Sequence, residues 1–562
     1  MGSEAPVFER WLNEFFGVFY RRNPVDATFA GIHEYDHLLP DTSPEAIEAA
    51  LGEIDGLRAS LAALPDEPLT EAERHDRQLA EGFLDIRAWE YSSQHFQAGS
   101  PSYYTGEAVF SILALFHRDS EPLTERVAAA TARMEAIPGL LAQGRVNVTS
   151  APVPWTERAI RESRSGIAFF ERGVHLLATE RHFEDPAFLQ AAQTAASAFN
   201  EHLQWLETYL LNHPRAEVAC GTDAFNRYLR AGHQLPVERD AAWVMEYATS
   251  ALKAAQQELA ARAARRDPDR SWQEQLRELA DHHPSVGEYY GAYTRTWHEA
   301  RDAALEADLV TWPDAPIEYV PFPQSDREAA EGLYYLFYRC PAPFGRPETH
   351  LYRVTPIDAD MDESVQQARL RSTNDSVIKL NHVVHHGGLG HHVQNWHAFR
   401  ADSRIGRVAG VDGSSRLAMF CAGTLVEGWA CYAVDLMDEI GYLTPLESLA
   451  EVQGRARMAA RAIADVGIHS GAMSLDEAAA FYEREAGMPT ASARGEAVKN
   501  SMFPGAAMMY LIGTDAIHDL RQQMHALQGE SFSLRAFHDR FLSYGAIPVS
   551  LIAEAMLAEA GA

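Results

Sequence analysis

Apolar residues recur at three- and four-residue spacing from the start of the chain. Phe8, Trp11, Leu12, Phe15, Phe16 and Phe19 make one stripe of a predicted helix, with Pro24 just past its end. Ser43 and Pro44 supply an N-cap and a first helical position. Ile47, Leu51, Ile54, Leu57 and Leu61 carry that helix on towards Pro65. Residues 187–211 and 237–265 predict two further long helices, the second rich in Ala. No repeat of fixed period occurs, which argues against a solenoid.

The texture changes near residue 309. Leu309–Ser325 holds four prolines among β-branched and aromatic residues. Phe337–Asp358 holds Pro341, Pro343, Gly345 and Pro347, then the run His350-Leu351-Tyr352-Arg353-Val354. Both stretches read as short strands and loops. Helices resume near Thr373, broken by glycine-rich segments at 387–390, 406–413 and 503–505. The expected organisation is a helical subdomain over 1–308 and a second, site-bearing helical subdomain with short strands over 309–562.

At 562 residues the chain exceeds one ordinary domain, and its 46% hydrophobic content allows a large core. A formal net charge of −31 argues against nucleic acid and against anionic membranes, since cations to replace phosphate counterions are lacking. Only Lys253, Lys379 and Lys499 are lysines; Arg carries the remaining positive charge. Cys220, Cys340, Cys421 and Cys431 are widely separated and show no C-x-x-C spacing, which fits a reducing cytosol. The first residues lack a signal-peptide pattern, Pro6 stands where a myristoylation signal on Gly2 needs Ser or Thr, and no apolar run approaches the ~18 residues of a membrane helix. These features predict a soluble cytoplasmic protein.

Chemistry concentrates in one place. Six histidines fall between 382 and 397, inside Thr373–His386 and the segment after it. Thr373–His386 reads as an α-helix capped by Thr373 or Asn374, with Val377, Leu380 and Val384 on one side. Two ligand pairs compete. His382 and His386, four apart, would share one face of a regular helix. His385 and His391 lie six apart, about 240° round a regular helix, and converge only if Gly387-Gly388-Leu389-Gly390 unwinds. Glu427, beside Gly428 on a helix expected to run to about Glu439, can complete a His/His/Glu set. Buried, hydrogen-bonded histidines are the competing explanation, and Trp396 and Trp429 read as core residues.

With these motifs the chain resembles a large bacterial family, domain of unknown function 885, whose members look like gluzincin metallopeptidases. The family pattern runs H-E-G-x-P-G-H-H-x-Q, then E-G-W-A-x-Y-x-E, then P-G-Q-A-x-x-Y-x-x-G. This chain has HHGGLGHHVQ at 385–394, EGWACYAV at 427–434 and PGAAMMYLIG at 504–513. NPVDATFAGIHEYDHLLPD at 23–41 and FHDRFLSYGAIPVSLI at 537–552 are similar too, so the resemblance spans almost the whole chain. It implies a mainly α, elongated multi-helix metallopeptidase-like body, with a few short strands and a deep cleft lined by 385–392 and 427–432. It implies one zinc ion on His385, His391 and Glu427, with His392 as a supporting or replacement ligand. It implies Tyr510 as the donor to an oxyanion. The chain departs from the pattern at four positions: His386 for Glu, Leu389 for Pro, Val434 for Glu and Ala506 for Gln.

The first departure bears on activity. His386 stands where a gluzincin keeps the carboxylate base, whose loss removes ~10²–10⁴-fold of catalysis. The expected function is a cytoplasmic zinc metallopeptidase-like protein that acts on or binds short peptides or related amides. His386 and Tyr510 are its catalytic candidates, and hydrolysis is weakened or lost. The alternative is a non-catalytic peptide- or metal-binding protein. A fourth protein ligand at His386 would close the site. No G-x-S-x-G occurs and Ser414-Ser415 lack a supporting pattern, so a serine hydrolase is disfavoured. No phosphate-loop or dinucleotide glycine motif occurs either.

Overall fold

The computed structural model describes residues 7–64, 69–330, 332–333, 338–345, 349–414 and 416–561. Pro65, Ser415, Phe337, Pro347 and the first six residues, on which some expectations rested, lie outside the described residues. Among the described residues the fold is mainly α-helical with one small two-stranded sheet. The chain forms two compact units, each assembled from three stretches. The first comprises 1–220, 322–347 and 411–419; the second comprises 221–321, 348–410 and 420–562.

In the first unit the aromatic stripe does what its spacing predicts. Helix Val7–Arg22 buries Phe8, Trp11, Leu12, Phe15, Phe16 and Phe19. Each such side chain contributes about 1.5–3 kcal/mol when fully buried. Phe83 meets Phe15 and Phe19 edge-on, at 5.7 and 5.5 Å between centroids. Trp11 Nε1 donates to Ser60 Oγ at 3.0 Å and so ties this helix to Pro44–Ala62. Ser43 caps the latter as expected, its hydroxyl accepting from Ala46 N. Helix Pro186–Thr208 follows the 187–211 expectation closely.

The first unit also buries charge. Glu90, 1% exposed, accepts from Arg87 at 2.8 Å and from both terminal nitrogens of Arg416 at 2.6 and 2.8 Å. Burial alone would raise its carboxyl; the two guanidinium groups outweigh that and hold it at about 2. Arg133 donates to Ser111 O, Thr28 Oγ1 and Leu38 O at 2.7, 2.7 and 3.0 Å, so its buried guanidinium is satisfied mainly by carbonyls. Glu107 accepts from the Ser414 hydroxyl. Burial, with Asp26 nearby, pushes its carboxyl well up, and the Ser414 hydrogen bond and the charges of Arg133 and Arg87 only partly offset this.

The second unit carries helices Ala241–Arg266, Tyr289–Glu306, Gly423–Glu439, Pro445–His469, Thr490–Met502 and Met509–Gln528. The first of these matches the expected 237–265 helix, with Asp240 as its N-cap. Strands Ile317–Pro321 and His350–Val354 pair in parallel, Ile317 opposite His350 and Pro321 opposite Val354. Parallel neighbours need a crossover, and the crossover, 322–347, belongs to the first unit. The run at 350–354 is a strand as expected; Gln324–Ala330, expected as strand or loop at its start, is helical. No described helix is long and apolar enough to cross a membrane.

Glu107 makes the stability of the protein depend on pH. An unfolded Glu titrates near about 4.3, and the folded group holds its proton to higher pH. Its contribution is therefore fully present below about pH 4 and lost as pH rises through the raised folded value. Glu107→Gln keeps an acceptor for Ser414 without that titration. Its urea midpoint should fall less than that of the parent between about pH 5 and pH 9. Equal slopes would show that Glu107 is ionised in the folded chain.

Candidate metal centre

The segment expected as an α-helix over Thr373–His386 differs in kind. Asn374 caps a short α-turn, Asp375–Val377, its side chain accepting from Val377 N at 3.1 Å. Ile378–Gly387 then runs on as a π-helix, with i→i+5 bonding. Ile378, Val383 and Val384 are buried, while Val377 and Leu380 of the expected stripe are only half-buried. The wider turn shifts which residues share a face, so an α-helical stripe misplaces them.

The glycines then reverse the chain. Gly390 N bonds back to Val384 O at 2.8 Å, and helix His391–Ala398 begins directly. A Cβ on Gly390 would fall 1.9 Å from His385 O, so no larger residue fits that approach. Two indoles hold the reversal. Trp297 Nε1 donates to Gly387 O at 2.8 Å, and Trp429 Nε1 donates to Leu389 O at 2.9 Å. Trp429 is a fully buried core residue, as expected, and also a clamp on this loop.

The loop brings His385 and His391 together, with ring centroids 4.8 Å apart. Glu427 reaches both: its Oε2 lies 3.5 Å from His385 Nε2 and 3.8 Å from His391 Nε2. His386 joins them. One nitrogen from each of His385, His386 and His391 lies within 4.8 Å of the others. His386 Nδ1 donates to Asn381 O at 2.6 Å, which turns its Nε2 lone pair to other uses. His385 Nδ1 faces Cys431 Sγ at 4.0 Å.

His382 and His392 are held elsewhere. His382 Nδ1 bonds the Tyr352 hydroxyl at 2.7 Å, within a cluster that includes Tyr293 and Tyr319. His392 Nε2 donates to Ala315 O at 2.8 Å, and its ring stacks on His350. Neither belongs to the His385/His386/His391 group. Both rings are pushed down to about 4 by burial.

Glu427 is positioned by backbone contact. A Cβ on Gly428 would fall 2.6 Å from the carbonyl carbon of Gly513, and one on Gly513 would fall 2.0 Å from Thr424 O. Helices Gly423–Glu439 and Met509–Gln528 therefore cross with their backbones touching. Tyr510 sits three residues before Gly513, on the same side of its helix. The start of that helix is pinned by Asp465, which accepts from Gly505, Ala507 and Met508 N at 3.1, 2.9 and 3.0 Å. Burial raises this carboxyl to about 7, and the three donors work against that rise.

The protonation states suit a cation. Burial pushes His391 down to about 4 and His386 well below its usual range, so both imidazoles are neutral at physiological pH. Burial alone would raise Glu427; the hydrogen bond from His385, the neighbouring imidazoles and Lys499 outweigh it and hold the carboxyl at about 2. Neutral nitrogens and an ionised carboxylate are the forms that bind metal. Spacing agrees. Four donors at about 2.0–2.1 Å from a tetrahedral zinc stand about 3.3 Å apart, and the Glu427 distances are within a few tenths of an ångström of that. His385, His386 and His391 form a group that could hold a metal ion, with Glu427 beside it.

Sequence comparison matches residues 24–556 to the family described as "Bacterial protein of unknown function (DUF885)". The chain belongs to that family. Two solved structures share the fold. One is described as a "putative lipoprotein of unknown function" from Shewanella oneidensis, 22% identical, with a TM-score of 0.77, covering 98% of this chain and all of that one. The other is the "putative lipoprotein" from Colwellia psychrerythraea, 15% identical, with a TM-score of 0.77 and 99% of each chain covered. No curated protein matches the chain.

Sequence reasoning singled out every residue of the His/Glu cluster. It missed the clamp from Trp297 and the pin from Asp465. Neither left a local signal, because each acts on backbone far from it in the sequence.

The helix crossing gives a stability test. Ala at an ordinary helical position gains about 1 kcal/mol over Gly. At residue 513 the new methyl would meet backbone, so Gly513→Ala should instead lose about 1–3 kcal/mol or more. Chemical denaturation monitored by far-UV circular dichroism reads the sign directly.

Proposed function

We propose that this protein is a zinc-binding, metallopeptidase-like member of its family that takes short peptides or related amides and hydrolyses them weakly or not at all. The observation that carries this reading is the convergence of His385, His391 and Glu427, with a third imidazole, His386, where a carboxylate base is expected. The metal would be held by His385, His391 and Glu427. When bound, zinc supplies Lewis acidity towards a substrate carbonyl.

The protein's own groups then limit the chemistry. With Nδ1 committed to Asn381 O, His386 has only Nε2 to offer. As a base, that nitrogen accepts a proton but brings no negative charge to draw it. As a fourth ligand it closes the coordination shell. One lone pair cannot serve both ends, and each use weakens hydrolysis. Tyr510 would donate its hydroxyl to the oxyanion, and the 385–392 and 427–432 segments would line the cleft that takes the peptide. The second reading, metal or peptide binding without turnover, is favoured by the closeness of His386 to both metal-facing histidines. The four widely separated cysteines, with no C-x-x-C spacing, favour a reducing, cytoplasmic compartment; the lipoprotein descriptions of the solved relatives point instead to the cell envelope. Cell fractionation separates the two.

Purified protein reconstituted with zinc should hold about one equivalent, measured by elemental analysis. His385→Ala and Glu427→Ala should lose it, and His382→Ala should keep it. Near-zero metal in the parent, or loss through His382→Ala alone, would overturn the ligand set.

His386→Glu should raise hydrolysis of a short-peptide pool at matched metal content, by up to about 10²-fold if the remaining site is intact. In that variant Tyr510→Phe should lower kcat more than it raises KM. Robust hydrolysis by the parent, abolished by His386→Glu, would make His386 a working base instead.

A further inference from the structure

A histidine that binds a metal through one ring nitrogen passes the N–H of the other to an outer acceptor, most often a carboxylate or a carbonyl. That acceptor decides which nitrogen keeps its lone pair for the ion. His385 has no oxygen in that place. Its Nε2 faces Glu427 Oε2 at 3.5 Å, and its Nδ1 faces Cys431 Sγ at 4.0 Å. Among the described residues, no other hydrogen-bonding group meets that Nδ1.

Helix geometry puts the thiol there. Cys431 follows Glu427 by four residues on Gly423–Glu439, so the two share one face, about 5–6 Å apart at Cβ. That spacing lets one helix face hold both nitrogens of a single imidazole, with the carboxylate at Nε2 and the sulfur at Nδ1. Cys431 therefore meets the ring on the edge that Glu427 does not use, and it is not a member of the His385/His386/His391 group. The hydrogen of the thiol has an outlet of its own. The Thr514 hydroxyl lies beside the sulfur and donates its hydrogen to Tyr510 O at 2.7 Å. Its oxygen can then accept S–H, which leaves the sulfur lone pairs for Nδ1–H.

We infer that Cys431 is a positioning residue for His385: its sulfur accepts the Nδ1–H and so keeps the Nε2 lone pair turned towards the ion. This deepens the reading of His385 as a metal ligand and rests on it. In the metal-free chain Nε2–H donates to Glu427, and Nδ1 accepts from the thiol. When an ion takes Nε2, that proton leaves to water and another comes from water to Nδ1. The ring stays neutral, and the hydrogen bond at sulfur reverses its direction. Sulfur is a weak acceptor, so His385 is held more softly than a carboxylate would hold it.

The test uses the full chain and metal ions alone. Zinc affinity, measured by competition with a chelator, should fall about 10-fold in Cys431→Ala and in Cys431→Val, which keeps most of the volume and removes the acceptor. Cys431→Asn, whose amide oxygen accepts Nδ1–H, should bind close to the parent. Cobalt-loaded protein gives a second readout. Proton NMR in water shows the ring N–H of each ligating imidazole as a paramagnetically shifted, exchangeable signal. One such signal should be lost to exchange with water in Cys431→Ala and Cys431→Val and kept in the parent and Cys431→Asn. A packing role alone would not move it. Equal zinc affinity in the parent and Cys431→Val, a Cys431→Asn variant as weak as Cys431→Ala, or a full set of N–H signals in Cys431→Val would each overturn the role of Cys431 and leave the metal reading standing. A parent that binds neither zinc nor cobalt would overturn both. Should Cys431→Ala melt early, Cys431→Val decides.

Discussion

The candidate centre depends on backbone meeting backbone at Gly428 and Gly513. A side chain at either position would push the two helices apart and carry Glu427 away from the histidines. The residues flanking Gly428 share the task. Glu427 on one side reaches His385 and His391, and Trp429 on the other grips the carbonyl of Leu389. Three successive residues thus supply a donor, a contact surface and a clamp. The clamp acts on the very loop that brings the histidines round, so both halves of the centre are fixed from one helix turn.

The same economy explains why His386 is so constrained. It follows His385 on a π-helix whose wide turn lets adjacent imidazoles approach the same point. A carboxylate there would add negative charge beside Glu427, whereas a neutral imidazole adds a third nitrogen. At this position the chain therefore offers a nitrogen donor and no negative charge.

Much of this was legible in the chain. The Phe8–Phe19 stripe, the Ser43 cap and the strand at 350–354 follow from local spacing and local chemistry, and local signals are what a sequence displays openly. The His385/His391 pair was legible only as one of two alternatives, decided by family resemblance. Spacing alone could not decide it, because the glycine reversal and the π-helix depend on Trp297, nearly a hundred residues away, and on the close approach at Gly390. The stripe at Val377, Leu380 and Val384 failed for the same reason: an α-helical period was applied to a turn of another width. The buried ions of the first unit were invisible, since Glu90 and Arg416 meet across 326 residues.

That long reach affects how the chain can fold. The first unit takes its last stretch from 411–419. Arg416 and Ser414, on that stretch, are partners of Glu90 and Glu107, two carboxyls that the first unit buries. A chain emerging from the ribosome has made both acids more than three hundred residues before it makes those partners. Until then, closing the unit would leave Glu90 without one of its two cations in a dry interior. The early helices are therefore held short of their final packing until the first two stretches of the second unit, 221–321 and 348–410, have been synthesised. Completion of the first unit becomes a late event, with the two acids acting as a brake on premature closure.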